Sequence, residues 1–105
     1  MTDGQLAYFV ELFGRRSAYV RNRLGRLTGM KTPAQVKEKL HFSYRELANC
    51  LGCSPSHVKQ VVLYGRPLTP DGLERWRELV RQAVRLALGD VFDVRWTGRL
   101  TFTVR

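Results

Sequence analysis

Two cysteines and two histidines offer the first candidate chemistry. Cys50 and Cys53 form a Cys-x-x-Cys pair, His57 follows four residues on, and His41 lies upstream. Zinc is held by a tetrahedral set of such ligands, and a paired dithiol could also cycle between oxidation states. Both readings are set aside. No second Cys-x-x-Cys and no His-x-x-x-His pair completes the set, and both cysteines fall where the local pattern needs small apolar side chains. His57 is read as an exposed helix residue, not a ligand. Asp90 and Asp93 resemble a nuclease's carboxylates in type alone and are read as strand-edge solvation. There is no Gly-rich phosphate loop, no His-Glu-x-x-His and no Gly-x-Ser-x-Gly. No enzyme activity, cofactor or metal is therefore expected. The chemistry left is that of hydroxyls, amides and cations, which hold anions and read hydrogen-bonding edges.

Those side chains must be positioned by helices. Ser43-Tyr44-Arg45-Glu46 is a capping box: the Ser43 hydroxyl can accept from the third amide, and the Glu46 carboxylate can reach back to the Ser43 amide. It predicts a helix over 44–51, ended by Gly52, which takes a positive φ without a Cβ clash. Ser54-Pro55 opens the next helix, to about 63, with Ser as cap and Pro at the first position. The residues 64–67, Tyr-Gly-Arg-Pro, are a loop. Two short helices joined by a few residues around a glycine are the sequence form of a helix-turn-helix. Leu47, Leu51, Val58 and Val61 supply the apolar contacts between them, and Ala48 must be small because the second helix crosses near its Cβ.

At these residues the chain resembles the phage repressor and Cro-like helix-turn-helix family. Leu47-Ala48, Leu51-Gly52, Ser54, Val58 and Val61 match its pattern, as does Gly65-Arg66-Pro67 before a capped helix. The likeness covers about 41–88. Cys53 stands where Val or Ile is usual, and Pro55 comes early in the second helix, where the first turn tolerates it. The resemblance implies that the second helix enters the major groove of double-stranded DNA. Carried over by position, Ser54, Ser56, Lys59 and Gln60 are the expected base contacts. Gln60 can pair bidentately with adenine, and Lys59 with guanine or a phosphate. Ser43, Tyr44, Arg45 and Arg66 are the expected backbone contacts, the first two at a helix start that favours phosphate.

The rest of the chain frames this motif. Leu6, Phe9, Val10, Phe13, Val20, Leu24 and Leu27 recur at helical spacing, as one helix over about 5–27 or two joined near Gly14, with Gly29 as a stop. Thr32-Pro33 caps a short helix through Leu40. Thr69-Pro70-Asp71 starts the clearest helix, with an apolar stripe of Leu73, Trp76, Leu79, Val80, Ala83, Val84, Ala87 and Leu88, stopped by Gly89. Its outer face offers Glu74/Arg77 and Glu78/Arg81 pairs. After Asp90 the period becomes two: Phe92, Val94 and Trp96, then Leu100, Phe102 and Val104, about Thr97-Gly98. That is a hairpin whose apolar face must be covered by the helices or by another chain. The expected fold is mainly α, a helix-turn-helix bundle with a C-terminal β-hairpin. It forms one domain over 1–105: basic helices (1–40), helix-turn-helix (41–66), long amphipathic helix (67–89) and hairpin (90–105).

Length and charge narrow the partners. In 105 residues, 18 Lys and Arg oppose nine Asp and Glu, a formal net charge of +9. Residues 14–31 alone carry Arg15, Arg16, Arg21, Arg23, Arg26 and Lys31 with no acid. So basic a small body points to an anionic partner. No apolar run approaches the ~18 residues of a bilayer span, and the first residues lack the basic start of a secretory signal. A cytoplasmic, non-membrane protein is expected. The favoured reading is a sequence-specific double-stranded DNA-binding protein, a transcriptional regulator or repressor of phage or prokaryotic type acting as a homodimer. Its rivals are the DNA-recognition subunit of a phage packaging or recombination assembly, and a protein-interaction module such as an antitoxin or an RNA polymerase-binding regulator.

Overall fold

Capping chemistry sets where each helix begins. In the computed structural model, which describes residues 1–16, 32–89 and 93–105, there are five helices and one hairpin. The helices are α1 (Asp3–Arg15), α2 (Pro33–Leu40), α3 (Tyr44–Leu51), α4 (Pro55–Leu63) and α5 (Pro70–Leu88). The strands β1 (Val94–Trp96) and β2 (Phe102–Val104) pair antiparallel, with Val94 opposite Val104 and Trp96 opposite Phe102. Full capping boxes start α1 (Thr2 with Gln5), α2 (Thr32 with Gln35) and α3 (Ser43 with Glu46). Ser54 and Thr69 cap α4 and α5, each followed by Pro at the first turn.

The first helix departs from expectation at its start. It begins two residues earlier, because Thr2 and Gln5 satisfy each other's amides. It ends at Arg15, one residue past Gly14, which fits the alternative of two helices joined near that glycine; Gly14 itself is helical, with room for a side chain and no positive φ. The proposed continuation to 27 and the stop at Gly29 lie outside the described residues, as do Asp90 and Phe92.

One apolar core joins every helix to the hairpin. Phe9, Leu12 and Phe13 of α1, Val36 and Leu40 of α2, Phe42, the inner faces of α3, α4 and α5, and Leu100 and Phe102 of the hairpin are all buried in it. Each such side chain contributes roughly 1.5–3 kcal/mol by leaving water. Phe42 meets Phe9 edge-on at 5.6 Å between ring centroids. The α5 stripe is buried from Trp76 to Val84 but not to its end: Leu88 is 41% exposed. The hairpin's apolar face is covered by this chain's own helices. Leu100 and Phe102 enter the core, while Val94, Trp96 and Val104 pack partly buried against it.

Of the two pairs expected on the outer face of α5, Glu78/Arg81 forms and Glu74/Arg77 does not. Arg81 bridges Glu78 (3.3 Å) and Glu74 two turns back (2.8 Å). Arg77 turns to the hairpin instead, its Nε and Nη2 donating to the Arg99 (2.7 Å) and Gly98 (2.9 Å) carbonyls. Its guanidinium lies 4.9 Å from the centre of the Trp96 ring. A helix-spacing rule sees only neighbours on the same helix, and here a carbonyl pair 21 and 22 residues away is the better acceptor.

Candidate nucleic-acid interface

The angle between α3 and α4 is held by small buried side chains. Leu47, Ala48, Cys50 and Leu51 of α3 and Val58 and Val61 of α4 are at most 5% exposed. Gly52 takes a left-handed φ of 72°, and the Ala48 carbonyl accepts from the amides of both Gly52 and Cys53. A residue with a Cβ is strained at that φ, so the turn is tied to glycine. At the other end of α4, the Gln60 carbonyl accepts from the amides of Tyr64 and Arg66, and Gly65 supplies another positive φ. The chain thus folds back sharply on both sides of α4.

With its inner face fixed, α4 presents the opposite face to solvent. Ser54, Ser56, Lys59 and Gln60, the expected base-reading residues, are all exposed on it. Ser54 is partly committed: its hydroxyl oxygen accepts from the His57 amide (3.1 Å), leaving its proton free to donate. The side chains of Ser56, Lys59 and Gln60 have no partner among the described residues. His57 is half-buried instead of exposed. Four residues before Val61, it sits on the shoulder of the inner face, not on the open one.

The four expected backbone contacts divide. Arg45 and Arg66 are exposed, with no internal ion pair among the described residues. Ser43 uses its hydroxyl oxygen on the Glu46 amide (3.1 Å). Tyr44 is half-buried, with the Lys37 ammonium 4.5 Å from its ring centre. Both remain at the start of α3, where the helix dipole favours an anion.

Within the acid-free run from 14 to 31, Arg15 pairs with Glu11 and Arg16 is occupied inside the molecule. The Arg16 guanidinium makes two parallel bonds to Glu46 (2.7 and 2.6 Å), donates to the His41 carbonyl (3.1 Å) and stands 5.5 Å from the Phe42 ring centre. Its bonds to Glu46 hold the arginine charged and push the Glu46 carboxyl below the ordinary carboxylate range, against the opposing effect of burial. Sequence reading gave Glu46 its cap role but missed this second one, since nothing local marks a partner 30 residues away. Arg21, Arg23, Arg26 and Lys31 lie outside the described residues.

The cysteines sit on the core side. Burial pushes the Cys50 thiol up to about 12, and the Cys53 thiol is raised too, with Arg75 pulling it partly back. No cluster of three His, Cys, Asp or Glu placed to hold a metal occurs among the described residues, and no helix among them is long and apolar enough to cross a membrane. No family model, curated protein or solved structure matches this chain.

Proposed function

We propose that the protein is a sequence-specific double-stranded DNA-binding protein, a transcriptional regulator that reads the major groove through α4. One observation carries this reading: α4 is locked to α3 by its apolar face, while its opposite face offers unpartnered donors and acceptors at Ser56, Lys59 and Gln60 to solvent. A helix braced in this way fits a groove about 12 Å wide. Gln60 would pair with adenine and Lys59 with guanine or a phosphate. Ser54 and Ser56 would donate to bases or phosphate. Ser43, Tyr44, Arg45 and Arg66 would meet the flanking backbone, and the net charge of +9 supplies the general attraction.

The regulator is proposed to act as a homodimer on a two-fold site, as helix-turn-helix proteins do. The hairpin's core-facing residues, Leu100 and Phe102, are used within the chain, which leaves them out of the proposed contact. Leu88, 41% exposed at the end of α5, is an apolar side chain a second copy would cover. Sedimentation that finds only monomer at high concentration removes this part.

The test is selection of bound duplexes from a random pool at two salt concentrations. An enriched palindrome with a steep salt dependence supports the reading. Gln60→Ala is expected to relax preference at one base pair by about 1–3 kcal/mol. Arg66→Ala is expected to weaken every duplex alike and to lower the salt slope by about one. Identical behaviour of both variants on every duplex refutes the assigned roles.

A further inference from the structure

The loop after α4, the start of α2 and the turn of the hairpin together line a groove of about 420 Å³. Arg66 stands on the loop side and Arg99 on the hairpin side. The rest of the lining is mostly carbon, including Val62, Leu63, Pro67 and Leu100, and among the described residues it contains no acid. Both arginines are exposed, and neither guanidinium has an ion pair or hydrogen bond among the described residues.

The hairpin side of this groove is fixed in place. Arg77 holds the Gly98 and Arg99 carbonyls from below. The Thr101 carbonyl accepts from the Thr97 (2.9 Å) and Gly98 (3.3 Å) amides, and the neighbouring Leu100 is 2% exposed. The Arg99 main chain is therefore anchored on both sides while its side chain is left in solvent.

We propose that this groove seats the sugar–phosphate backbone of the same duplex that α4 reads, with Arg66 and Arg99 each donating to a phosphate and the apolar lining against deoxyribose. The proposal rests on the reading of α4 as a duplex-binding helix. Two cations on a mostly apolar groove suit a polymer that alternates charge and sugar, and the lack of an acid among the described lining residues spares a phosphate repulsion. It gives the hairpin a role: Arg77 is a positioning residue, and Arg99 is a second phosphate contact remote in sequence from the helix-turn-helix.

The test measures affinity of the full chain for the selected duplex and for a short random-sequence duplex across a salt series. Arg99→Ala is expected to weaken both by the same factor, about tenfold at low salt, and to lower the log–log salt slope by about one. Arg99→Lys is expected to keep the slope, and circular dichroism to show both variants folded. Arg95→Ala removes the same charge from the outer face of β1, away from the groove, and is expected to change the slope far less. An Arg99→Ala slope equal to the wild type's, with Gln60→Ala and Arg66→Ala still acting, overturns the groove and leaves the α4 reading intact. So does an Arg95→Ala effect as large as that of Arg99→Ala. A poly-glutamate peptide that binds the groove while Arg99→Ala leaves duplex affinity unchanged assigns it to an acidic protein segment and overturns it as well. Failure of the wild type to bind any duplex at low salt removes the α4 reading itself.

Discussion

The α3–α4 pair and the α5–hairpin pair solve the same problem, holding two elements at a fixed angle, with opposite means. Between α3 and α4 the grip is apolar: Leu47, Ala48, Leu51, Val58 and Val61 interlock, and Gly52 makes the sharp turn. Between α5 and the hairpin, apolar contact from Leu100 and Phe102 is joined by a polar clamp. Arg77 reaches two turn carbonyls, and the Arg77 and Arg81 guanidiniums lie 4.9 and 5.5 Å from the Trp96 ring centre. The first joint is continuous with the core and fails only with it. The second shares that core through Leu100 and Phe102, but its polar clamp is partly exposed to water and is expected to loosen alone.

The contrast is sharpest at Leu47, fully buried between the helices. Leu47→Ala is expected to cost about 3 kcal/mol, lost transfer energy plus a cavity, in urea unfolding. Amide exchange should rise throughout the protein, because no part of the core survives the loss of this joint. Rapid exchange confined to α3 and α4 would show that they are not continuous with the rest.

Glu46 lies between the two styles, a charged tie set against an apolar joint. Glu46→Gln is expected to cost about 2 kcal/mol by removing charge-assisted bonds to Arg16. The pH dependence follows from the lowered carboxyl. Folding favours the ionised form, so the stabilisation is complete above the ordinary carboxylate range and is lost as pH falls through the depressed native value. Acid titration of stability should be steeper for the wild type than for Glu46→Gln across that window. Parallel curves would mean that the Arg16 tie contributes nothing.

Arg77→Ala should give the smallest effect and the most local one, about 1 kcal/mol. Exchange at the Thr97, Gly98 and Trp96 amides should rise while α3 and α4 stay protected. Global loosening of the same size would erase the distinction between the joints.

The same contrast explains what could be read before folding. The caps at Thr32, Ser43, Ser54 and Thr69 and the stop at Gly52 are local, each settled by residues three or four apart, and all stand as expected. The apolar spacing of α3 and α4 likewise places Ser56, Lys59 and Gln60 on the open face, since the side opposite Val58 and Val61 is fixed by geometry. The polar ties were hidden. Arg16 finds Glu46 across 30 residues and Arg77 finds main-chain oxygens across 21 and 22, so no spacing rule exposes them. The half-burial of His57 and Tyr44 also escaped notice, because each lies on the border of a helix face and its exposure depends on neighbours from other elements.

Glu46 serves two acceptor duties at once. It receives the Ser43 amide (2.9 Å) as half of a capping box and both nitrogens of Arg16 as the anchor at the end of α1. At most helix starts Glu and Gln are interchangeable in this box. Here that freedom is withdrawn: an amide could still meet the serine but would set an NH₂ group against the guanidinium, and aspartate is a methylene short. Across any lineage of such sequences, positions 16 and 46 should therefore change together or not at all, a coupled substitution pattern between residues that capping rules alone would treat as independent.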